Sequence, residues 1–138
     1  MRHRKKVIKL HRKKEHREAM LRNLATSLVL HSKITTTITK AKALKRVIER
    51  LVSKAKKGDL ATRRHLLGYL YKKEAVKKLM DEIAPRFKDR EGGYVRIIRL
   101  GFRKGDCAEM ARIEFIDTQS KEEKKNKKEW TPRAEIEA

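Results

Sequence analysis

The chain holds a single cysteine, Cys107, so an internal disulfide framework and a cysteine-based zinc site are both excluded. A lone thiol reads as a small, semi-buried side chain. No uninterrupted apolar run exceeds four residues, far below the ~20 that a membrane-spanning helix needs. The N-terminus also lacks the apolar stretch and small-residue cleavage site of a secretory signal, so a soluble, intracellular protein is expected. Aromatic residues are sparse, seven in all (Tyr69, Tyr71, Phe87, Tyr94, Phe102, Phe115 and Trp130), and most occur where a core would take them. That argues against a general single-strand binder, which needs exposed stacking platforms. Acidic charge is the last scarcity. Eighteen Asp/Glu face 39 Lys/Arg, for a net charge of +21 on 138 residues. Self-repulsion of that size favours a polyanionic partner.

Catalytic patterns are missing as well. There is no P-loop, GxGxxG, HExxH or nucleophile elbow. The five histidines (His3, His11, His16, His31, His65) are scattered, three of them among arm arginines that would repel a metal cation. A metal-dependent nuclease needs two or three convergent carboxylates, for which Asp81-Glu82 and Asp89-x-Glu91 are candidates. On Lys-rich surroundings they read as solvated surface. No catalytic, cofactor or metal site is expected, and no small-molecule substrate.

What is present is organised in three parts. MRHRKKVIKLHRKKE, residues 1–15, is a basic arm with too few apolar residues to fold alone, and Val7, Ile8 and Leu10 are too little for a membrane-surface face. Residues 16–117 carry the elements of one domain. Met20, Leu21, Leu24, Leu28 and His31 recur at helical spacing and predict a helix at about 16–31. KITTTIT (33–39) is β-branched and extended, with Thr39 placed to cap a helix whose stripe is Leu44, Val47, Ile48, Leu51, Val52 and Ala55, ending at Gly58. Asp59 is placed to cap a helix bearing Leu60, Leu66, Leu67 and Leu70. A further stripe, Val76, Leu79, Met80 and Ile83, is expected to stop at Pro85. Tyr94–Leu100 and the alternating Ala111–Phe115 predict two strands pairing antiparallel across a loop of about nine residues. Residues 118–138 mix six Lys/Arg with five Glu and read as a disordered, charged tail containing the isolated Trp130.

The basic residues carry the functional signal, in three sets. The arm supplies Arg2, Arg4, Lys5, Lys6, Arg12, Lys13, Lys14 and Arg17, with His3. The first helix and the start of the second supply Arg22, Lys40, Lys42, Lys45 and Arg46. The C-terminal segment supplies Arg86, Lys88, Arg90, Arg96, Arg99, Arg103 and Lys104. Lys54, Lys56, Lys57, Lys77 and Lys78 are read as solubilising surface. Charge in a segment with no fold to solubilise points to phosphate binding, driven by release of condensed counterions. Lacking a helix-turn-helix or zipper, the chain fits folded RNA, read by shape and backbone, better than sequence-specific DNA. A DNA-compacting protein or general nucleic-acid chaperone is the alternative that charge alone supports.

Three stretches, MRHR, HREAMLRNLATSLVLHSKITTTITKAKALKRVIERLVSKAK and PRFKDREGGYVRIIRLGFRKGDCAEMARIEFID, together resemble the bacterial large-subunit ribosomal protein L17 family, from Met1 to about Asp117. The resemblance implies a two-layer α/β domain, with helices packed on one face of a small three-stranded mixed sheet to which KITTTIT gives a strand. It also implies a non-enzymatic constituent of the large ribosomal subunit, in the cytoplasm, bound to large-subunit ribosomal RNA near the polypeptide exit tunnel beside neighbouring large-subunit proteins. By that pattern Arg2, His3, Arg4 and the basic residues through Arg17 and Arg22 enter RNA, while Arg86, Arg90, Arg96, Arg99, Arg103 and Lys104 face phosphates. Arg96 and Arg99, three apart in a strand, share one face only if a bulge intervenes, and Glu114 across the hairpin could pair with one of them.

Overall fold

Residues 8–116 are described by the computed structural model. Arg2, His3, Arg4, Lys5, Lys6 and the expected tail with Trp130 lie outside them. The order of elements is α1 (Lys14–His31), β1 (Lys33–Thr37), α2 (Ile38–Ala55), α3 (Leu60–Tyr69), α4 (Lys73–Lys78), β2 (Val95–Phe102) and β3 (Glu109–Phe115). Helix α4 continues through a π-helical turn, Leu79–Ile83, and a last α-turn, Ala84–Arg86. No helix is long and apolar enough to cross a membrane among these residues.

The centre is α2. Its apolar stripe buries Ile38, Ala41, Ala43, Leu44, Val47, Ile48, Leu51, Val52 and Ala55, and the helix touches all three strands as well as α1 and α3. The stripe starts earlier than the sequence suggested. Ile38 and Ala41 extend it by one turn, so the N-cap is Thr37 rather than Thr39, and Thr37 makes no side-chain cap bond. Asp59 does cap α3, its carboxylate accepting from the Thr62 N–H at 2.9 Å. Of that helix's leucines only Leu66, with Leu70 just beyond its end, is buried; Leu60 is 63 % and Leu67 42 % exposed.

The sheet runs β1-β3-β2. Both pairings are antiparallel, so the sheet is antiparallel throughout, not mixed. β1 and β2 do run the same way, but β3 lies between them and they never pair. Ile34, Thr36, Ala111, Ile113, Val95 and Ile97 share the face covered by helices, by the strict two-residue alternation of strands. Lys33, Thr35, Arg112, Glu114, Arg96 and Ile98 share the other face, which no helix of the described residues covers.

Three local outcomes differ from expectation. Pro85 does not end its helix. Pro85 cannot donate a backbone bond, and in a regular α-path its ring would strike a carbonyl one turn back. Instead the Ala84 N–H reaches the Leu79 carbonyl through a wide turn, and the helix carries on to Arg86. The β2–β3 loop is shorter than nine residues, spanning 103–108, because the strands run on past a bulge between Arg99 and Gly101. Gly101, at φ +94°, takes the left-handed backbone there that a side chain would strain. Cys107 sits exposed in that loop instead of semi-buried.

The central position of α2 sets a stability prediction. Leu44→Ala should cost about 2–5 kcal/mol in denaturant unfolding, as a fully buried leucine truncated in a helix packed on both sides. Leu60→Ala, at an exposed position, should change stability by less than about 0.5 kcal/mol.

Candidate nucleic-acid interface

The arm's last residues are tied to α1. Leu10 and His11 both have left-handed backbone, at φ 54° and 51°, in a tight turn closed by the Arg12 N–H to the Lys9 carbonyl at 3.2 Å. Arg12 donates to His16 Nε2 at 2.7 Å, and Arg17 reaches back to the Arg12 carbonyl at 3.4 Å. Helix α1 begins at Lys14, two residues before its expected start, so Lys14 and Glu15 are helical. Lys13 and Lys14 are exposed.

Beside the tied arm lies a groove of about 760 Å³. Arg17 and Leu21 of α1 form one wall. Arg46, Val47, Arg50 and Lys54 of α2 form another, and Glu91, Gly92 and Tyr94 close an end, with Ile8 of the arm at the rim. Residues 43, 46, 47, 50 and 54 face the groove together because three- and four-residue steps share one side of a helix. The closing loop is fastened to α2. Lys56 Nζ donates to the Arg90 carbonyl at 2.7 Å and lies 5.8 Å over the Tyr94 ring. The Tyr94 and Ser53 hydroxyls are 3.2 Å apart, and Arg90 Nε donates to the Gly92 carbonyl at 2.9 Å. Arg90 therefore shapes this loop from within. Lys56, expected as solvated surface, is structural, and so is Lys78, whose Nζ donates to the Leu30 carbonyl near the end of α1 at 2.7 Å.

Arg22 is turned toward the protein. Its guanidinium stacks 5.2 Å over the Tyr69 ring, and its buried Nε has no partner among the described residues. Burial raises the Tyr69 hydroxyl pKa above its ordinary value, with the Arg22 charge pulling the other way. Lys42 is exposed and Lys40 half-buried, and neither lines the groove. Lys45 pairs loosely with Glu49 at 4.0 Å.

Three of the C-terminal arginines, Arg96, Arg99 and Arg103, are each paired with a carboxylate. Arg96 holds Glu114 Oε1 at 2.6 Å through both Nε and Nη2, Arg99 reaches Glu109 at 3.4 Å, and Arg103 grips Asp106 by two bonds, 3.0 and 2.6 Å. The bulge falls after Arg99, so it leaves Arg96 and Arg99 on opposite faces: Arg96 stands opposite Glu114 and Arg99 opposite Ala111. Lys88 and Lys104 are exposed. Arg86 sits in a second cavity with Arg96. Among the described residues no group of three or more His, Cys, Asp and Glu could hold a metal ion.

Two features were not foreseen from sequence. Arg50 and Lys54 join Arg46 in the groove, and the signal was available in their four-residue spacing. Phe102 and Tyr71, two of the seven aromatics of which most were expected at core positions, are 75 % and 55 % exposed. Phe102 is the last residue of β2, beyond the bulge, opposite Glu109.

Comparison with known proteins follows the same lines. The family model for ribosomal protein L17 matches residues 20–116. A protein named large ribosomal subunit protein bL17 from Bradyrhizobium diazoefficiens is 53 % identical over 117 residues, covering 85 % of this chain and 85 % of that one. Proteins of the same name from Acidobacterium capsulatum and Finegoldia magna are 48 % and 50 % identical, covering 93 % and 86 % of this chain and 80 % and 91 % of theirs.

The Arg103–Asp106 pair predicts a pH effect confined to the hairpin. The guanidinium bonds hold the Asp106 carboxyl down at about 2 from an ordinary 3.8. A carboxylate with a depressed folded-state pKa stabilises above its unfolded pKa, and the contribution is lost as pH falls through the folded value. Amide shifts of Gly105 and Cys107 should therefore titrate with a midpoint near pH 2, and not near the ordinary 3.8. Asp106→Asn should abolish that movement, and salt should weaken it, since both side chains are exposed.

Proposed function

The chain belongs to the ribosomal protein L17 family, and from that premise we propose that it is a structural constituent of the large ribosomal subunit, in the cytoplasm. Its role is architectural, not catalytic. It binds large-subunit ribosomal RNA through phosphate and shape contacts and helps to support translation. The observation that carries the RNA reading is the groove beside the arm. Arg17, Arg46, Arg50 and Lys54 line it against two carboxylates, Glu49 and Glu91, and the chain that enters it at Ile8 leads directly into the basic residues 2–6. The groove carries onto the folded body the basic character that the sequence concentrates just before it, and both are proposed to face the same RNA. The proposed divisions are an arm 1–15, a domain 16–117 and a charged tail 118–138, with α1 reaching two residues into the arm.

Guanidinium groups paired with Glu114, Glu109 and Asp106 still carry unused N–H donors, so Arg96, Arg99 and Arg103 arrive at a phosphate already aimed. A position near the polypeptide exit tunnel rests on the family resemblance. Ile98, Leu100 and Phe102 on edge strand β2 are exposed apolar side chains; the bulge sets Ile98 and Phe102 on opposite faces, so it is the edge of the sheet that suits a neighbouring large-subunit protein. The general-chaperone alternative draws on charge alone, and none of the pairings in the hairpin favours it.

Sedimentation of cell lysate through sucrose at low and high salt tests the assignment. The protein should travel stoichiometrically with large subunits and resist moderate salt; migration at the top of the gradient, or with DNA, would overturn it. Removing residues 1–13, which leaves α1 whole, should preserve the thermal melt but remove most affinity for ribosomal RNA. Undiminished binding would show that the arm is dispensable.

A further inference from the structure

The phenylalanines of the chain divide into two kinds. Phe87 is buried and packs against Tyr94 and Phe115, with ring centroids 5.2 and 6.3 Å apart. Phe102 is 75 % exposed, and no aromatic or cationic side chain of the described residues covers its ring. Single exposed apolar residues are ordinary on a protein surface. The surroundings of Phe102 are not.

Residues three apart in a regular strand point to opposite faces. The bulge in β2 changes that parity. Arg99 stands opposite Ala111 and Phe102 opposite Glu109, so guanidinium and ring share one face, two ladder steps or about 7 Å apart. Arg99 pairs with Glu109 on that same face at 3.4 Å. Beyond the ring the chain enters the β2–β3 loop, where Arg103 is gripped by Asp106 and Lys104 is exposed. Backbone bonds close this loop: the Arg103 N–H donates to the Ala108 carbonyl at 2.9 Å, and the Cys107 N–H to the Arg103 carbonyl at 3.1 Å. The exposed ring thus stands at the end of a tied hairpin, between two arginines that carboxylates hold.

We propose that Phe102 is a stacking platform for one unpaired base of the ribosomal RNA. The assignment rests on the RNA-binding reading above and adds a contact of a different kind. Arg99, Arg103 and Lys104 answer phosphates, whereas the ring answers a base. A nucleotide in a bulge or loop of folded RNA offers both chemistries together, since only an unstacked base presents its face to a side chain. Stacking tolerates any base, so it brings no sequence preference. One platform takes one base, which agrees with the scarcity of aromatics and keeps the chain apart from general single-strand binders. Ile98 lies on the opposite face and stays with the sheet edge.

The test is filter binding of the full chain to deproteinised large-subunit ribosomal RNA across a salt series. Phe102→Ala should weaken binding by about 5- to 150-fold, the loss of one stacked base. It should leave the slope of log K against log salt unchanged, because no charge is removed. Phe102→Trp should bind at least as tightly as the unsubstituted chain, and Phe102→Leu, which keeps apolar bulk without a π face, should fall with the alanine variant. Full affinity in either Phe102→Ala or Phe102→Leu would overturn the proposal. So would an alanine variant that binds bare RNA normally yet is lost from complete subunits, since the ring would then meet a protein. Failure of the unsubstituted chain to bind would instead remove the RNA reading itself. Should Phe102→Ala melt below the unsubstituted chain, fluorescence decides. In Phe102→Trp/Trp130→Phe the indole emission should be quenched when the ribosomal RNA is added, and unchanged emission with RNA bound would overturn the proposal.

Discussion

Burial of one face of α2 against the sheet is the constraint from which the remaining architecture follows. Its inner stripe, Leu44, Ile48, Leu51 and Val52, joins one continuous core with Ala111, Ile113 and Val95. Each large aliphatic side chain so buried is worth about 1.5–3 kcal/mol, which makes this layer the main opponent of a charge of +21. Rotation of α2 is then fixed, and its opposite face has no freedom either. Arg46, Arg50 and Lys54 must look toward the start of α1, and the basic groove is the necessary reverse of the packed stripe.

Local patterns were legible where local physics decides them. The α2 stripe, the Asp59 cap and the alternation of Ala111–Phe115 are short-range signals, and each appears in the fold. The position of β3 between β1 and β2 is not such a signal, because it joins segments more than seventy residues apart and depends on which strand the core selects. Pro85 misled for a related reason: the rule about proline concerns a regular α-path, and a π-helical turn leaves that path before the proline arrives. The candidate site was legible in its charges and opaque in its groupings. Lysines at 54, 56 and 78 look alike in sequence, yet one lines a groove, one fastens a loop and one caps α1.

The acids are few, and their placement explains the use of each. Glu114, Glu109 and Asp106 each sit beside one arginine of the β2–β3 hairpin. Exposed ion pairs of this kind stabilise by about 0–1 kcal/mol, too little to account for the fold. Their effect is directional. A carboxylate that bonds one edge of a guanidinium restricts its rotamers and leaves the other edge for an incoming oxygen, so ordering is done before the ligand arrives.

The two basic hollows also lie apart. Arg17, in the groove, and His31, at the second cavity, are separated by most of α1; at 1.5 Å per residue that is about 21 Å. A single phosphate cannot answer both. The groove and the second cavity are separate hollows, and α1, tied to the core by Ala25, Leu28 and Val29, holds them at a fixed distance. Under the proposed function such an arrangement serves RNA as a spacer, with charge at each end and the rigidity of the helical layer between them. Charge without that rigidity would bind RNA of any shape; rigidity between two charged ends favours RNA already folded to match.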